Sequence, residues 1–186
     1  MFGHHEKRWG LLRLMAPELT KMPGTLLYVG AYAAGNILRA DYLSNLAKAG
    51  NEVTVLEVWE PALGELLNSR VAKHIARAQV GSIVDPPRLP RDTYDYIVWW
   101  HGPEHVKQAQ VDRALASVDR LTRGLSVIAS PWGQCRGEPE FGNPHNEHKQ
   151  YLYYEDYDRW GYEVAALGPK DQCGGCMIGV RRKGGA

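Results

Sequence analysis

The chain has 186 residues, of which 44% are hydrophobic and 23% charged, a composition typical of one folded globular domain rather than of a disordered segment. Its 22 basic and 21 acidic residues give a net charge of +1, so neither nucleic acid nor an anionic membrane is indicated as a partner. No apolar run has the length of a membrane helix, the segment MFGHHEKRWG lacks the apolar core of a signal peptide, and three cysteines fit a reducing compartment. These features predict a cytoplasmic domain.

Strands and helices alternate through the first half of the chain, after an N-terminal extension over residues 1–22. The run Thr25-Leu26-Leu27-Tyr28-Val29 is continuously apolar, as expected of a strand that is buried on both faces. Apolar residues then recur at helical spacing up to Ala47, and Gly50 stands where a helix C-cap belongs. The next segments are predicted as a strand, a short helix and a weaker strand: residues 53–58, 61–69 and 75–83.

The second half continues the alternation and then departs from it. Residues 94–100 and 125–129 are predicted as buried strands, and residues 103–121 between them as one helix. Two further apolar runs, residues 162–167 and 177–180, are joined by a polar, Gly-rich link in which no helix fits. The pattern therefore predicts a mostly parallel sheet with helices on both faces and an antiparallel hairpin at its end.

Two segments at predicted strand ends carry the candidate ligand site, because ligands of an open parallel sheet bind beyond the carboxyl ends of its strands. Residues 30–36, GAYAAGN, have the small side chains that a tight turn and a close approach of backbone to ligand require. Glu57 ends the second strand, where an acid exposed to the cleft can accept hydrogen bonds from both hydroxyls of a ribose. The alternatives are glycines that serve packing only and a solvated carboxylate. The matching positions of Gly30 and Glu57 favour a ligand site.

Together these segments resemble the class I S-adenosylmethionine-dependent methyltransferases. The resemblance covers residues 25–182 and rests on Leu26-Leu27-Tyr28-Val29-Gly30, on Glu57, on residues 94–106 and on the terminal hairpin, which nicotinamide-binding Rossmann folds lack. It implies a single α/β domain over residues 1–186, a three-layer Rossmann-like sandwich with a seven-stranded sheet. It also implies S-adenosylmethionine as the cofactor and methyl transfer to a small molecule or a modified biopolymer.

The resemblance implies a set of cofactor contacts at the strand ends. The Gly-rich loop faces the methionine part of the cofactor in that family, the acid of the second strand binds the ribose, and side chains after the third strand flank the adenine. The contacts implied in this chain are Gly30, Ala31, Tyr32, Gly35, Asn36, Glu57, Val58, Ser82, Ile83, Trp100, His101 and Gly102.

The chain departs from the family at three positions. Tyr28 stands where the family usually has Asp, Tyr32 where it has a small residue, and Ser82 where it has Asp. Tyr28 has no carboxylate for the amino group of the cofactor, and Tyr32 is large enough to fill part of the pocket. The alternative functions are therefore a non-catalytic module that kept the fold and an NAD(P)-dependent oxidoreductase.

Histidines near the predicted pocket are candidates for proton transfer, because the unperturbed pKa of histidine lies nearest neutrality. His101 follows the fourth strand, and His148 lies in the long segment of residues 131–157. Glu104 and His105 are interpreted as the start of a helix, where an acid favours the macrodipole. In the family the long segment shapes the acceptor site. The candidates for acceptor contact in this chain are therefore Asn143, His145, Glu147 and His148. The alternative is an aromatic loop that packs over the sheet edge.

The cysteines offer a metal alternative. Cys173 and Cys176 form a C-x-x-C unit, and Cys135 and a histidine from residues 145–148 come to the same end of the predicted sheet. No second C-x-x-C unit exists, so the sequence favours no metal site over a zinc site at these cysteines.

Overall fold

The computed structural model describes residues 3–30, 37–138 and 142–184. Seven strands form one sheet: β1 (Thr25–Val29), β2 (Glu52–Glu57), β3 (Arg77–Val80), β4 (Tyr94–Trp100), β5 (Thr122–Pro131), β6 (Glu163–Leu167) and β7 (Cys176–Arg182). The helices are α1 (Gly3–Met15), α2 (Glu18–Lys21), α3 (Ile37–Lys48), α4 (Glu60–Leu67), α5 (Val111–Leu121) and α6 (Tyr154–Arg159). Short 3₁₀ turns cover Ala72–His74, Pro103–His105 and Gln108–Gln110.

The strand order is β3-β2-β1-β4-β5-β7-β6. β1 to β5 pair in parallel, whereas β7 runs antiparallel to both β5 and β6. The sheet therefore confirms the predicted Rossmann-like sandwich, its seven strands and its C-terminal antiparallel hairpin. The strand order changes direction between β1 and β4, which are neighbours, and a ligand cleft is expected at such a reversal.

Alternating side chains of the strands point into two separate cores. Tyr28 in β1 and Trp100 in β4 belong to the first core, with Tyr42 of α3 packed 4.5 Å from the Trp100 ring. Trp99 belongs to the second core with Tyr157 of α6, on the opposite face of the sheet. Because both faces of these strands are covered, continuous apolar runs mark them in the sequence. No helix in the described part of the chain is long and apolar enough to cross a membrane.

The helix predicted over residues 103–121 is wrong in its first half. Two 3₁₀ turns occupy this stretch up to Gln110, and the helix α5 begins only at Val111. Lys107 is extended, with φ −62° and ψ 140°, so no continuous helix can pass through it. The apolar positions of α5 that are buried at helical spacing begin at Val111. The interruption matters because it turns Glu104 into the protein interior, where it is 2% exposed.

The long segment after β5 is only partly irregular. An isolated bridge joins Gly133 to Leu152, and α6 begins at Tyr154, inside the stretch that the sequence predicts to be irregular. The weaker strand predicted over residues 75–83 is the four-residue β3, and β5 is longer than predicted at both ends.

Candidate active site

A cleft of about 490 Å³ opens at the carboxyl ends of β1, β2 and β4. The Gly30 N–H donates to the carbonyl of Leu56 at 2.9 Å, and the Gly81 N–H donates to the carbonyl of Glu57 at 2.9 Å, so adjacent strand ends are held side by side. The volume lies within the roughly 300–1,000 Å³ of small-molecule sites. The cleft is lined by Val29, Gly30, Leu56, Glu57, Val58, Gly81, Ser82, Ile83, Val84, Asp85, Trp99, His101, Gly102, His105, Val106, Gln110, Arg113, Asn143, His145 and Asn146.

Glu57 lies at the cleft. Its side chain is buried, whereas the prediction was an exposed carboxylate. Its side chain is 3% exposed, and Oε1 accepts a hydrogen bond from the Trp59 N–H at 2.9 Å. A buried carboxylate is held in one orientation, because burial without hydrogen bonds would be too costly. Glu57 is therefore fixed at the cleft, and it also contributes to the local fold at the start of α4.

Gly30 provides the turn after β1. Its φ is +68°, a value that glycine adopts without strain, and no described atom lies within 4 Å of the position that a Cβ would take. A ligand can therefore approach the backbone closely at this point. Four of the predicted contacts, Ala31, Tyr32, Gly35 and Asn36, lie outside the described residues. Tyr28 is fully buried in the first core, so its side chain is not part of the cleft wall.

The wall beyond β3 contains Ser82 and Ile83, both predicted as adenine contacts. The Ser82 hydroxyl accepts the Val84 N–H at 3.2 Å and shapes the turn, while Ile83 is 4% exposed and packs into the second core. Val58 also lines the cleft and is 37% exposed.

The prediction that Trp100 contacts the cofactor is wrong. Trp100 is 1% exposed and its ring lies in the first core, on the face of the sheet that packs against α3. Its neighbour Trp99 lines the cleft instead, since successive side chains of a strand point to opposite faces. An apolar strand that is buried on both faces gives no signal for which of two adjacent tryptophans faces a ligand.

The turn after β4 places His101 at the cleft in a strained backbone conformation. His101 has φ +50°, uncommon for a residue other than glycine, and strained conformations of this kind cluster at functional sites. Its Nδ1 lies 3.1 Å from Oε1 of Glu104. Burial alone would raise the pKa of Glu104, but the hydrogen bond from His101 and the charges of His105 and His101 outweigh that effect and lower the pKa. An ionised carboxylate only accepts hydrogen bonds, so Nδ1 of His101 carries the proton that it donates to Glu104.

Glu104 is thus an interior carboxylate between two histidines, not the acid of a helix start. Its Oε1 is 3.9 Å from Nε2 of His105, and the side chain of Glu104 is 2% exposed. The residue pattern H-x-x-E-H was visible in the sequence. Pro103 before Glu104 is also typical of a helix N-terminus, so the pattern alone did not indicate a cluster of side chains.

Residues 143–150 are fastened to the turn after β4 by several hydrogen bonds. The Lys149 N–H donates to the Glu104 carbonyl at 2.7 Å, and the Gln150 amide donates to the carbonyls of Pro103 and Val106. Asn143 is 2% exposed, with its Oδ1 accepting the His145 N–H at 2.9 Å. This packing brings Asn143 and His145 to the cleft wall.

His148 lies behind this wall rather than along it, which corrects its assignment as a proton acceptor in the cleft. Its ring meets the ring of His105 edge to face at 4.9 Å, and Nδ1 lies 2.6 Å from the carbonyl of Cys135. Glu147, the fourth predicted acceptor contact, likewise does not line the cleft and pairs with Lys149.

The cysteines are arranged differently from the predicted alternatives. Cys135 and Cys173 form a disulfide, contrary to the expectation of reduced thiols. Two of the three cysteines of the predicted zinc alternative are therefore not available as thiolate ligands. Cys176 is buried, with Sγ 3.9 Å from Nε2 of His101. The disulfide links the segment after β5 to the β6–β7 hairpin.

Neither the comparison with protein-family models nor the comparison with curated proteins finds a match for the sequence. Solved structures are similar. The N-methyltransferase NodS from Bradyrhizobium japonicum WM9 is 16% identical with a TM-score of 0.70, and the match covers 97% of each chain. The magnesium protoporphyrin IX methyltransferase ChlM from Synechocystis PCC 6803, with bound S-adenosylhomocysteine, is 12% identical with a TM-score of 0.66, over 97% of this chain and 84% of that one. The chain therefore has the fold of the class I methyltransferases.

Proposed function

We propose that this chain binds S-adenosylmethionine in the cleft between Gly30 and Glu57 and transfers its methyl group to a small molecule or a modified biopolymer. The observation that carries the proposal is the Glu57 carboxylate, which lies at the end of β2 and faces the cleft beside the open turn at Gly30. A carboxylate at this position suits the two hydroxyls of a ribose, because it can accept both hydrogen bonds. The class I methyltransferase fold supports methyl transfer as the chemistry.

Three features of the described part of the cleft fit this cofactor. Ile83 and Trp99 provide apolar surface for an adenine ring, Glu57 provides the ribose acceptor, and the turn at Gly30 allows close approach of the methionine part. When bound, the sulfonium would supply an activated methyl group that a lone pair of the acceptor can attack, with S-adenosylhomocysteine as the leaving group. The protein then has to hold the acceptor atom in line with the bond between sulfur and methyl, and to exclude water.

His101 is proposed as the proton acceptor for the incoming nucleophile. Its Nδ1–H donates to Glu104, which fixes the ring and leaves Nε2 to receive the proton. Asn143 and His145, on the opposite wall of the cleft, are proposed acceptor contacts.

A non-catalytic module is the second candidate. It is favoured by the first motif, where the family's usual carboxylate is replaced by Tyr28, whose side chain is fully buried in the core. A nicotinamide-dependent oxidoreductase is disfavoured, because such folds lack the antiparallel β6–β7 hairpin.

Calorimetric titrations with S-adenosylmethionine, S-adenosylhomocysteine, NAD and NADP distinguish these functions. The proposal expects saturable binding of the first two ligands, little heat from the nicotinamide cofactors, and methyl transfer to some member of an acceptor panel read by mass spectrometry. Cofactor binding with no transfer across the panel would favour the non-catalytic module. Absence of binding at millimolar cofactor would contradict the proposed methyl transfer and would leave a non-catalytic module that has lost or changed its ligand.

A further inference from the structure

Glu104, His105 and His148 form a cluster of potential metal ligands at the edge of the cleft. One ligand atom from each residue lies within 4.8 Å of the other two. Glu104 is buried, and the two histidines are partly buried, so the cluster is shielded from bulk water on most sides. Two imidazoles and one carboxylate are the protein ligands of many zinc sites that keep an open coordination position.

The hydrogen bonds behind the two histidines present the correct nitrogen to the cluster. Nδ1 of His105 lies 3.2 Å from the carbonyl of Glu147, and Nδ1 of His148 lies 2.6 Å from the carbonyl of Cys135. A carbonyl oxygen can only accept, so both Nδ1 atoms carry a proton, and in the neutral form of each ring the lone pair is on Nε2. Metal-binding histidines are oriented in this way, with the ring nitrogen opposite the metal donating to a backbone carbonyl or a carboxylate.

A second, independent observation concerns the carboxylate. The Oε1 atom of Glu104 is held by Nδ1 of His101, but the buried Oε2 atom has no hydrogen-bond partner among the described residues. A buried carboxylate oxygen left without a partner is costly, and a cation is the natural group to satisfy it. His101 then acts behind the carboxylate ligand, as outer partners commonly do in metal sites.

We propose that Glu104, His105 and His148 bind one divalent transition-metal ion of the zinc class, through the carboxylate and the two Nε2 atoms. In a tetrahedral zinc site the ligand atoms are about 3.3 Å apart. Oε1 of Glu104 and Nε2 of His105 are 3.9 Å apart, so a small rotation of the partly buried imidazoles closes the site. Because His105 lines the cleft, the remaining coordination position faces it, where water or an oxygen or nitrogen of the acceptor can bind.

The surrounding backbone holds the loop that supplies His148. The His148 N–H donates to the carbonyl of Gly137 at 3.0 Å, and a Cβ on Gly137 would lie 2.4 Å from the His148 ring. Only glycine leaves room for the imidazole at this point. The His148 ring is therefore held in place by the backbone of Gly137 and by the carbonyl of Cys135.

The test is a titration of the tag-free protein with Co²⁺, followed by visible absorbance, and with Zn²⁺ against a chromophoric chelator. His4 and His5 are replaced by Ala in every protein compared, so that the N-terminal histidine pair cannot bind the probes. The variants are His105→Ala and His148→Ala, and the control is His74→Ala, a histidine of the 3₁₀ turn before β3 that belongs to neither the cluster nor the cleft wall. Neither cofactor nor acceptor is present, so the result does not depend on the proposed function.

The expected result is one ion per chain in the parent protein and in His74→Ala. The affinity should fall about 100-fold or more in His105→Ala and His148→Ala, since loss of an outer partner alone costs about 10–100-fold. Zn²⁺ should raise the melting temperature of the parent protein but not of His148→Ala, because only a folded state that binds the ion is stabilised. Failure of the parent to bind either ion at micromolar concentration would overturn the proposal, as would unchanged affinity in both variants. The cluster would then be a carboxylate–imidazole network only.

Discussion

Nδ1 of His101 lies 3.1 Å from Oε1 of Glu104, and the two side chains are only 10% and 2% exposed. This pair joins a strained turn at the cleft to a carboxylate inside the protein. The hydrogen bond fixes the ring of His101, the proposed proton acceptor, and it holds Oε1 of Glu104, the proposed metal ligand.

Glu104→Gln should lower the free energy of unfolding at neutral pH by about 1–3 kcal/mol, because it removes a charged partner of two partly buried imidazoles. The contacts of Glu104 lower its pKa from 4.5 to about 2, although burial alone would raise it. The unfolded chain therefore takes up the proton first as the pH falls, and the stabilisation present above about pH 4.5 is lost towards pH 2. Urea denaturation of the metal-free protein should show the difference between wild type and variant shrinking over that interval.

Glu65→Gln is the matched control for this series, since Glu65 is an exposed carboxylate on α4. It should stay within about 0.5 kcal/mol of wild type at every pH. A constant difference between wild type and Glu104→Gln as the pH falls would contradict the ion-pair account.

Gly102→Ala should destabilise the protein and should also weaken ligand binding in the cleft. A Cβ at this position would lie 1.7 Å from Nε1 of Trp99, so the indole that lines the cleft must move. Overpacking of this kind costs about 1–3 kcal/mol, and affinity for S-adenosylhomocysteine should fall as well. Gly64→Ala is the control: it lies within α4 with open space around it, and it should stabilise by about 0.5–1 kcal/mol. Equal melting temperatures for the two variants would contradict this packing.

Reduction of the Cys135–Cys173 disulfide should lower the melting temperature. The bond closes a loop with a sequence separation of 38, for which the chain-entropy model gives a contribution of up to about 4 kcal/mol. Alkylation of the unfolded protein should label Cys176 alone without reductant and all three cysteines with it. Cys173→Ser should melt at one temperature whether or not reductant is present. Labelling of three cysteines without reductant would show that the bond does not form.

The strands and their order of appearance could be predicted because the inner strands are buried on both faces. Tyr94–Trp100 and Thr25–Val29 are mostly apolar, with Asp95 and Thr25 as the exceptions, and their boundaries were predicted to the residue. The position of Glu57 was also predictable, since it only requires knowing where a strand ends. Its burial was not, because the Trp59 N–H that it accepts belongs to the next turn of the fold.

The contacts around Glu104 could not be predicted, because they depend on parts of the chain that are distant in sequence. His148 reaches His105 only because residues 143–150 fold back onto the turn after β4. The pairing of Cys135 with Cys173 depends on the same approach of loops. Short motifs such as C-x-x-C or H-x-x-E-H do not contain that information, and a Pro before Glu104 favoured a helix that the extended Lys107 prevents.

The most direct test of the cofactor site is the affinity of Glu57 variants for S-adenosylhomocysteine, measured by calorimetry. Glu57→Ala removes two charge-assisted hydrogen bonds to the ribose, each worth roughly 1.5–3 kcal/mol, so affinity should fall by about 10²-fold or more. Glu57→Gln should be intermediate, and Glu60→Gln, an exposed acid on α4, should bind as wild type. Melting curves must accompany the titrations, because Glu57 is buried and accepts the Trp59 N–H. Folded Glu57→Ala protein that binds S-adenosylhomocysteine within about 0.5 kcal/mol of wild type would contradict the assignment of this cleft as the cofactor site.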